Sequence, residues 1–168
     1  MIEDSVEGFV ARWRAHAVRA TAFARAEGSP LLELEVGGAV VQTLERTGPY
    51  AAPAGAIRVI LHAVTERFEP VEPFVGAERH LHAVGLAAVE VQGPVLERDG
   101  PVAVLDAGVP IVVGLDPGAT FGQVAGAPGV AMPAVGAWVR CVGLAPAQAF
   151  VLPPERTRVD QTPTDELV

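Results

Sequence analysis

Thirteen residues of this chain can be laid over thirteen others without a gap. LELEVGGAVVQTL (residues 32–44) matches AVLDAGVPIVVGL (103–115), setting Gly37 on Gly108 and Leu44 on Leu115. A second pair follows in the same order, PAGAIR ending at Arg58 and PAVGAWVR ending at Arg140. The triplets His16-Ala17-Val18 and His82-Ala83-Val84 stand upstream of each copy. A pattern that recurs in order is expected to build one structural unit twice. The offset between copies grows from 66 to 71 to 82 residues, so the loops of the two units must differ. The third such triplet, at His62, has no partner and reads as composition alone.

Composition says what kind of unit. Half of the 168 residues are apolar, with few aromatics, 18 glycines and 15 prolines. Valine and alanine dominate, a mixture suited to many short strands joined by turns. In the second copy, strands are expected at about 81–97, 102–106, 109–115, 136–144 and 147–152. Arg98-Asp99-Gly100-Pro101 closes one hairpin, and Ala107-Gly108 permits a bulge or tight bend. The first copy is harder to read over residues 16–27. Its alanines and arginines favour a helix that Gly28-Ser29-Pro30 would stop. The second copy, AVGLAAVEVQG, is a poor helix, and by analogy residues 16–27 are read as strand. Val18, Ala20, Ala22 and Ala24 then face inward, while Arg19, Thr21, Phe23 and Arg25 face out. Ahead of both copies, Ile2, Val6, Phe9, Val10 and Trp13 keep helical spacing, which predicts a short amphipathic helix.

Five strands per copy, with VLDAGVPIVVGL before the loop and VGAWVRCVGL after it, resemble the OB-fold, a five-stranded Greek-key barrel. The segment Asp106 to Leu115 carries the acidic-glycine turn between strands two and three, and Val135 to Arg140 resembles a glycine-led fourth strand. The likeness covers about 72 residues of the second copy. It implies a mainly β chain of two tandem OB-like five-stranded barrels. The organisation expected is a helix at 1–14, a first barrel at 15–69, a linker at 70–79, a second barrel at 80–153 and a flexible acidic tail at 154–168. OB barrels serve both as binders of single strands and as protein adaptors, so the fold alone does not choose a function.

Charge weighs on that choice. The formal net charge is −8, which repels polyanions at long range. The excess is uneven: residues 1–70 hold nine acids against seven arginines, and residues 71–154 hold seven against three. Arg12, Arg14, Arg19 and Arg25 lie in a stretch without an acid. A single-stranded nucleic acid would need cations and exposed aromatics on one β-face. Arg19, Phe23, Arg25, Arg58, Trp138 and Arg140 are the residues that would supply them. The opposing reading makes these arginines solubilising and Trp138 part of a core. Glu33 and Glu35, on the second strand, argue for it.

Catalysis and metals find less support. His80-Leu81-His82 projects two imidazoles to one side of a strand, yet two ligands do not close a metal site. Cys141 falls in a predicted strand, where it packs inward as a small apolar residue. Ser5 and Ser29 sit in no nucleophile elbow. DPGATFGQVAGAPGV lacks the lysine and following helix of a phosphate loop. No catalytic residue, metal or cofactor is assigned. One cysteine and an acidic start are consistent with the cytoplasm. Residues 117–139 are uncharged, but three prolines and five glycines would break a membrane helix. The function expected is therefore a non-enzymatic binding module, for a protein partner or a second copy in a homo-oligomer. Single-stranded nucleic acid is the alternative ligand.

Overall fold

Leu32, Leu34 and Val36 are buried while Leu31, Glu33 and Glu35 between them are exposed, the period-two burial of a strand with one wet face. This strand, β2 (Leu31–Val36), returns at once as β3 (Ala39–Glu45). Gly37 and Gly38 form the turn, both with positive φ (57° and 80°), which the tight two-residue hairpin requires. The computed structural model describes residues 5–48, 54–72, 77–116 and 132–154. Within them the protein is mainly β, 58% strand with one short helix. The remaining elements are α1 (Val6–Trp13), a 3-10 turn (Arg14–His16), β1 (Val18–Ala22), β4 (Gly55–Thr65), β5 (Glu69–Pro70), β6 (His80–Val84), β7 (Ala88–Asp99), β8 (Val102–Asp106), β9 (Pro110–Leu115) and β10 (Trp138–Val151).

All ten strands form one sheet, in the order β5-β10-β3-β2-β1-β4-β9-β8-β7-β6. Because β10 pairs with β7 as well as with β3, the eight strands from β10 round to β7 close into a barrel. β4 and β10 also pair with each other, Phe150 opposite Ile60, which divides the ring into two circuits of five strands. One core serves both circuits: Leu34, Val41, Leu61, Val91, Leu105, Ile111 and Cys141 belong to a single buried cluster.

The two halves of the ladder correspond. Ala22 faces Leu34 in the first, and Val95 faces Leu105 in the second. β4 runs parallel to β9, and β10 parallel to β3, so each half lends a strand to the other's edge. Leu34 pairs with Val41, whereas Leu105 pairs with Ile111. Residues 34 and 105 are 71 apart but 41 and 111 only 70, because the second hairpin turns through Ala107-Gly108-Val109 and the first through two glycines. The gap-free sequence match therefore slips by one after the turn: by ladder position Leu44 corresponds to Gly114, not Leu115.

Of residues 16–27, expected to be strand throughout, only 18–22 are strand; His16 ends the 3-10 turn and residues 23–27 lie beyond the strand, with no α-helix in the stretch. Other boundaries differ from expectation. The long strand expected at 81–97 is two, β6 and β7, because Gly85 and Ala87 take positive φ (57° and 60°) and double the chain back. The strands expected at 136–144 and 147–152 are one, β10, with a register shift between Leu144 and Gln148. β5, at the boundary between the expected first barrel and the expected linker, pairs with β10. The two barrels expected side by side also differ in that β10 completes both circuits. The tail from residue 155 and the uncharged stretch 117–131 lie outside the described residues. No helix among the described residues is long and apolar enough to cross a membrane.

α1 begins where Ser5 accepts a hydrogen bond from Gly8 N at 3.0 Å, a side-chain cap on an otherwise unpaired donor. It packs on the outside of the barrel. Phe9 and Trp13 cover Ile60, Val104, Val112 and Phe150, a second apolar cluster separate from the interior. Phe9 stacks on Phe150 at 4.1 Å between ring centroids. Two polar ties fix the helix to the far end of β7. Arg12 meets Glu97 at 2.6 Å and Asp99 at 3.0 Å, and His16 Nε2 meets Glu97 at 2.8 Å. The His16 hydrogen bond, then that of Arg12, holds the Glu97 carboxyl below the usual carboxylate range. The histidine of the first HAV triplet is an anchor for the helix.

Candidate functional site

The six residues singled out from sequence do not converge. Arg19 on β1 is exposed and stands directly opposite Arg58 of β4. Phe23, just past β1, is also exposed, two positions along the same alternation from Thr21. Arg25, however, does not face out. The inward alternation of Val41, Thr43 and Glu45 on β3 buries the Glu45 carboxylate, and with β1 ended at Ala22 the chain swings Arg25 onto it at 2.5 Å. The contact is close but off-axis, since neither Arg25 Nη nor Glu45 Oε2 gains an aligned hydrogen bond among the described residues. We attribute the burial of both charges to that ion pair, which is the interaction able to offset their desolvation.

Trp138 and Arg140 lie on one face of β10, as their spacing required, but on the β7–β10 side of the molecule and not beside Arg19. The Trp138 ring lies 5.2 Å from the Arg79 guanidinium. Arg140 donates to Glu69 at 3.0 Å, and this hydrogen bond holds Glu69 below the ordinary carboxylate range, with the charge of Arg67 adding to it. The residues nominated for a nucleic-acid face thus form two separate groups, Arg19 with Phe23 and Arg58, and Trp138 with Arg140, with Arg25 removed from both.

His80 and His82 stack at 4.4 Å on β6, and His80 Nε2 lies 3.0 Å from Glu90. No group of three possible metal ligands occurs among the described residues. Cys141 is buried, and that burial pushes its thiol up to about 12, so it stays protonated at neutral pH.

The residue that sequence reading passed over is His62. β4 sends Val59, Leu61 and Ala63 into the barrel, so Ile60, His62 and Val64 point outward beneath α1. The run VILHAV, apolar at nearly every position, marks a strand covered on both faces, and it was the available clue. His62 Nδ1 lies 3.0 Å from the Val112 carbonyl and its ring sits 5.0 Å from Phe9. Burial lowers its pKa from 6.5 to about 4, so the imidazole is neutral at pH 7. A neutral ring facing a carbonyl carries its proton on Nδ1, which leaves Nε2 with a lone pair.

His62 lines a cleft of about 270 Å³ between α1 and the outer faces of β4, β9 and β10. Phe9, Val64, Val102, Leu115 and Phe150 supply apolar wall, and Arg46 and Gln148 stand on its polar side. Arg46 donates to Gln148 Oε1 at 3.3 Å, and its positive charge is felt at His62, whose pKa it lowers further. Gly114 lines the cleft opposite Val64 and keeps a side chain from standing over the His62 ring; a Cβ there would lie 3.5 Å from Cε1.

Beyond the cleft the same outer surface continues, with no helix over it among the described residues. Gln148 pairs with both His62 and Leu44, Leu44 pairs with Leu31, and Val64 pairs with Leu144. Leu31 is 57% exposed and Leu144 40%. Compared with known protein families and with curated proteins, the chain matches no family model and no curated sequence.

Proposed function

We propose that the protein is a non-enzymatic binding module, made of two OB-like units that arose by duplication, and that it binds a second copy of itself through the outer face beside α1. The exposed leucines on that face carry the proposal: Leu31 and Leu144 extend the surface that α1 buries a strand or two away, and no described element covers them. Apolar side chains continuous with a buried patch are the usual mark of an association surface. The matching ladder of the two halves supports duplication, and the β4–β10 pair would be its axis. A single buried cysteine suits a reducing compartment such as the cytoplasm.

The test is light scattering over a concentration series. A dimer fraction that grows with concentration is expected. It should also grow with salt, because salt screens the repulsion between two chains of net charge −8. Leu31→Glu with Leu144→Glu should return the protein to monomer. A monomer at every concentration and salt would sink the reading.

Single-stranded nucleic acid is the second reading, favoured by Arg19 standing opposite Arg58 with Phe23 exposed nearby. It predicts the reverse salt effect: binding of a fluorescent oligonucleotide at low salt that falls as salt rises and weakens in Arg19→Ala. No binding at low salt would remove it.

A further inference from the structure

We infer that the cleft beneath α1 binds a small aromatic carboxylic acid, its carboxylate on Arg46, its ring against Phe9 and Phe150, and a ring hydroxyl donating to His62 Nε2. The inference does not depend on self-association.

Size limits the ligand first. A cleft of about 270 Å³ is below the usual range for drug-sized molecules. A cavity of about 150 Å³ holds benzene, so there is room here for one ring and its substituents, on the order of ten heavy atoms. The walls then select for shape. Phe9 and Phe150 are stacked, and the His62 ring is tilted 59° to Phe9, so an aromatic edge finds rings on two sides.

The polar groups fix orientation. Arg12 and Asp99 are spent on each other, and Ser5 Oγ on the helix cap. Among the described residues the Arg46 side chain meets the neutral Gln148 Oε1, and a guanidinium with five N–H donors has donors left for a carboxylate. The lone pair on His62 Nε2 accepts but cannot donate, so the ligand atom that meets it must bear a proton. Phenol and carboxylate on one ring satisfy both.

The probes are para-hydroxybenzoate, benzoate and phenol, titrated into the full chain and followed by calorimetry and backbone NMR. Para-hydroxybenzoate should bind and shift the amides of Val64, Gly114 and Gln148. Benzoate should bind about tenfold more weakly for want of the hydroxyl. Arg46→Gln should weaken both acids at least tenfold while leaving weak phenol binding unchanged, and Val64→Phe should abolish all three by filling the cleft. The Leu31→Glu, Leu144→Glu protein should bind para-hydroxybenzoate as the native chain does, whether or not that chain dimerises. Absence of shifts at millimolar acid would overturn the inference, as would acid binding unaffected by Arg46→Gln. Phenol binding as tightly as the acid would do the same.

Discussion

His62 shows how a strand can hide its most perturbed residue. Its neutral form is matched to the fold: buried among rings, with a carbonyl for its one N–H. Acid must therefore undo this. With a folded pKa of about 4 against 6.5 unfolded, the unfolded chain takes up the proton first as pH falls. Stability from this site is complete above 6.5 and lost between 6.5 and about 4. At about 1.4 kcal/mol per tenfold, the loss is roughly 3 kcal/mol. Denaturant unfolding at pH 7 and pH 4 should show that excess in the native chain over His62→Gln, and an equal acid sensitivity in both would refute it. Arg25 and Glu45 make the second prediction of this scale. Arg25→Ala leaves a carboxylate stranded in the interior and should cost about 3–5 kcal/mol, whereas Arg25→Met with Glu45→Leu should restore most of it. Neither residue was legible. An alternating pattern predicts which way Arg25 would point in a strand, but β1 ends three residues before it. For His62 the signal is the apolar run VILHAV, but nothing in the sequence pairs that face with the helix that covers it, and the HAV triplet within the run reads as composition alone.

Elements were more readable than residues wherever alternation and turn chemistry agreed. β8 and β9 fall within a residue of their expected bounds, since Gly100 and Gly108 stand at the turns where φ must be positive. The division between β6 and β7 was not legible, because apolar residues continue on both sides of Gly85 and the reversal also needs Ala87, an alanine, in a left-handed conformation. A different glycine matters more to these strands. Gly93 on β7 lets the Asp106 carbonyl approach so closely that a Cβ would fall 1.8 Å from its oxygen. Backbone on both sides cannot yield, so Gly93→Ala should destabilise by more than about 4 kcal/mol or prevent folding. Gly100→Ala, whose Cβ meets nothing within 4 Å, should cost only about 1 kcal/mol for its positive φ. Thermal unfolding of the two variants would check the contrast, and comparable losses would contradict it.

At the scale of the whole molecule, the sequence holds two stretches that can be laid over each other, but nothing in it says how those stretches meet. Pairing partners across more than a hundred residues leave no local trace: Gln148 finds Leu44 through the closed ring, not through any feature of either segment. The consequence can be measured. Residues 15–69 expressed alone lack β10, so β3 and β4 each keep an open edge, and the fragment should remain unfolded or aggregate. The full chain should unfold in one cooperative step with a single denaturant midpoint by fluorescence and by circular dichroism. A folded fragment, or two separated transitions, would favour independent barrels.

The position of β10 along the chain also bears on how the protein comes into being. Its pairs with β3, β4, β5 and β7 all reach backwards, so every one of those strands leaves the ribosome before the strand that completes it. Until then the nascent chain carries hydrophobic strands with unpaired backbone. Long-range closure of this kind is slow and exposed to aggregation. The arrangement makes the nascent chain a natural client for chaperones: synthesis rate and holdase capacity, more than final stability, would set how much of the protein reaches its closed form.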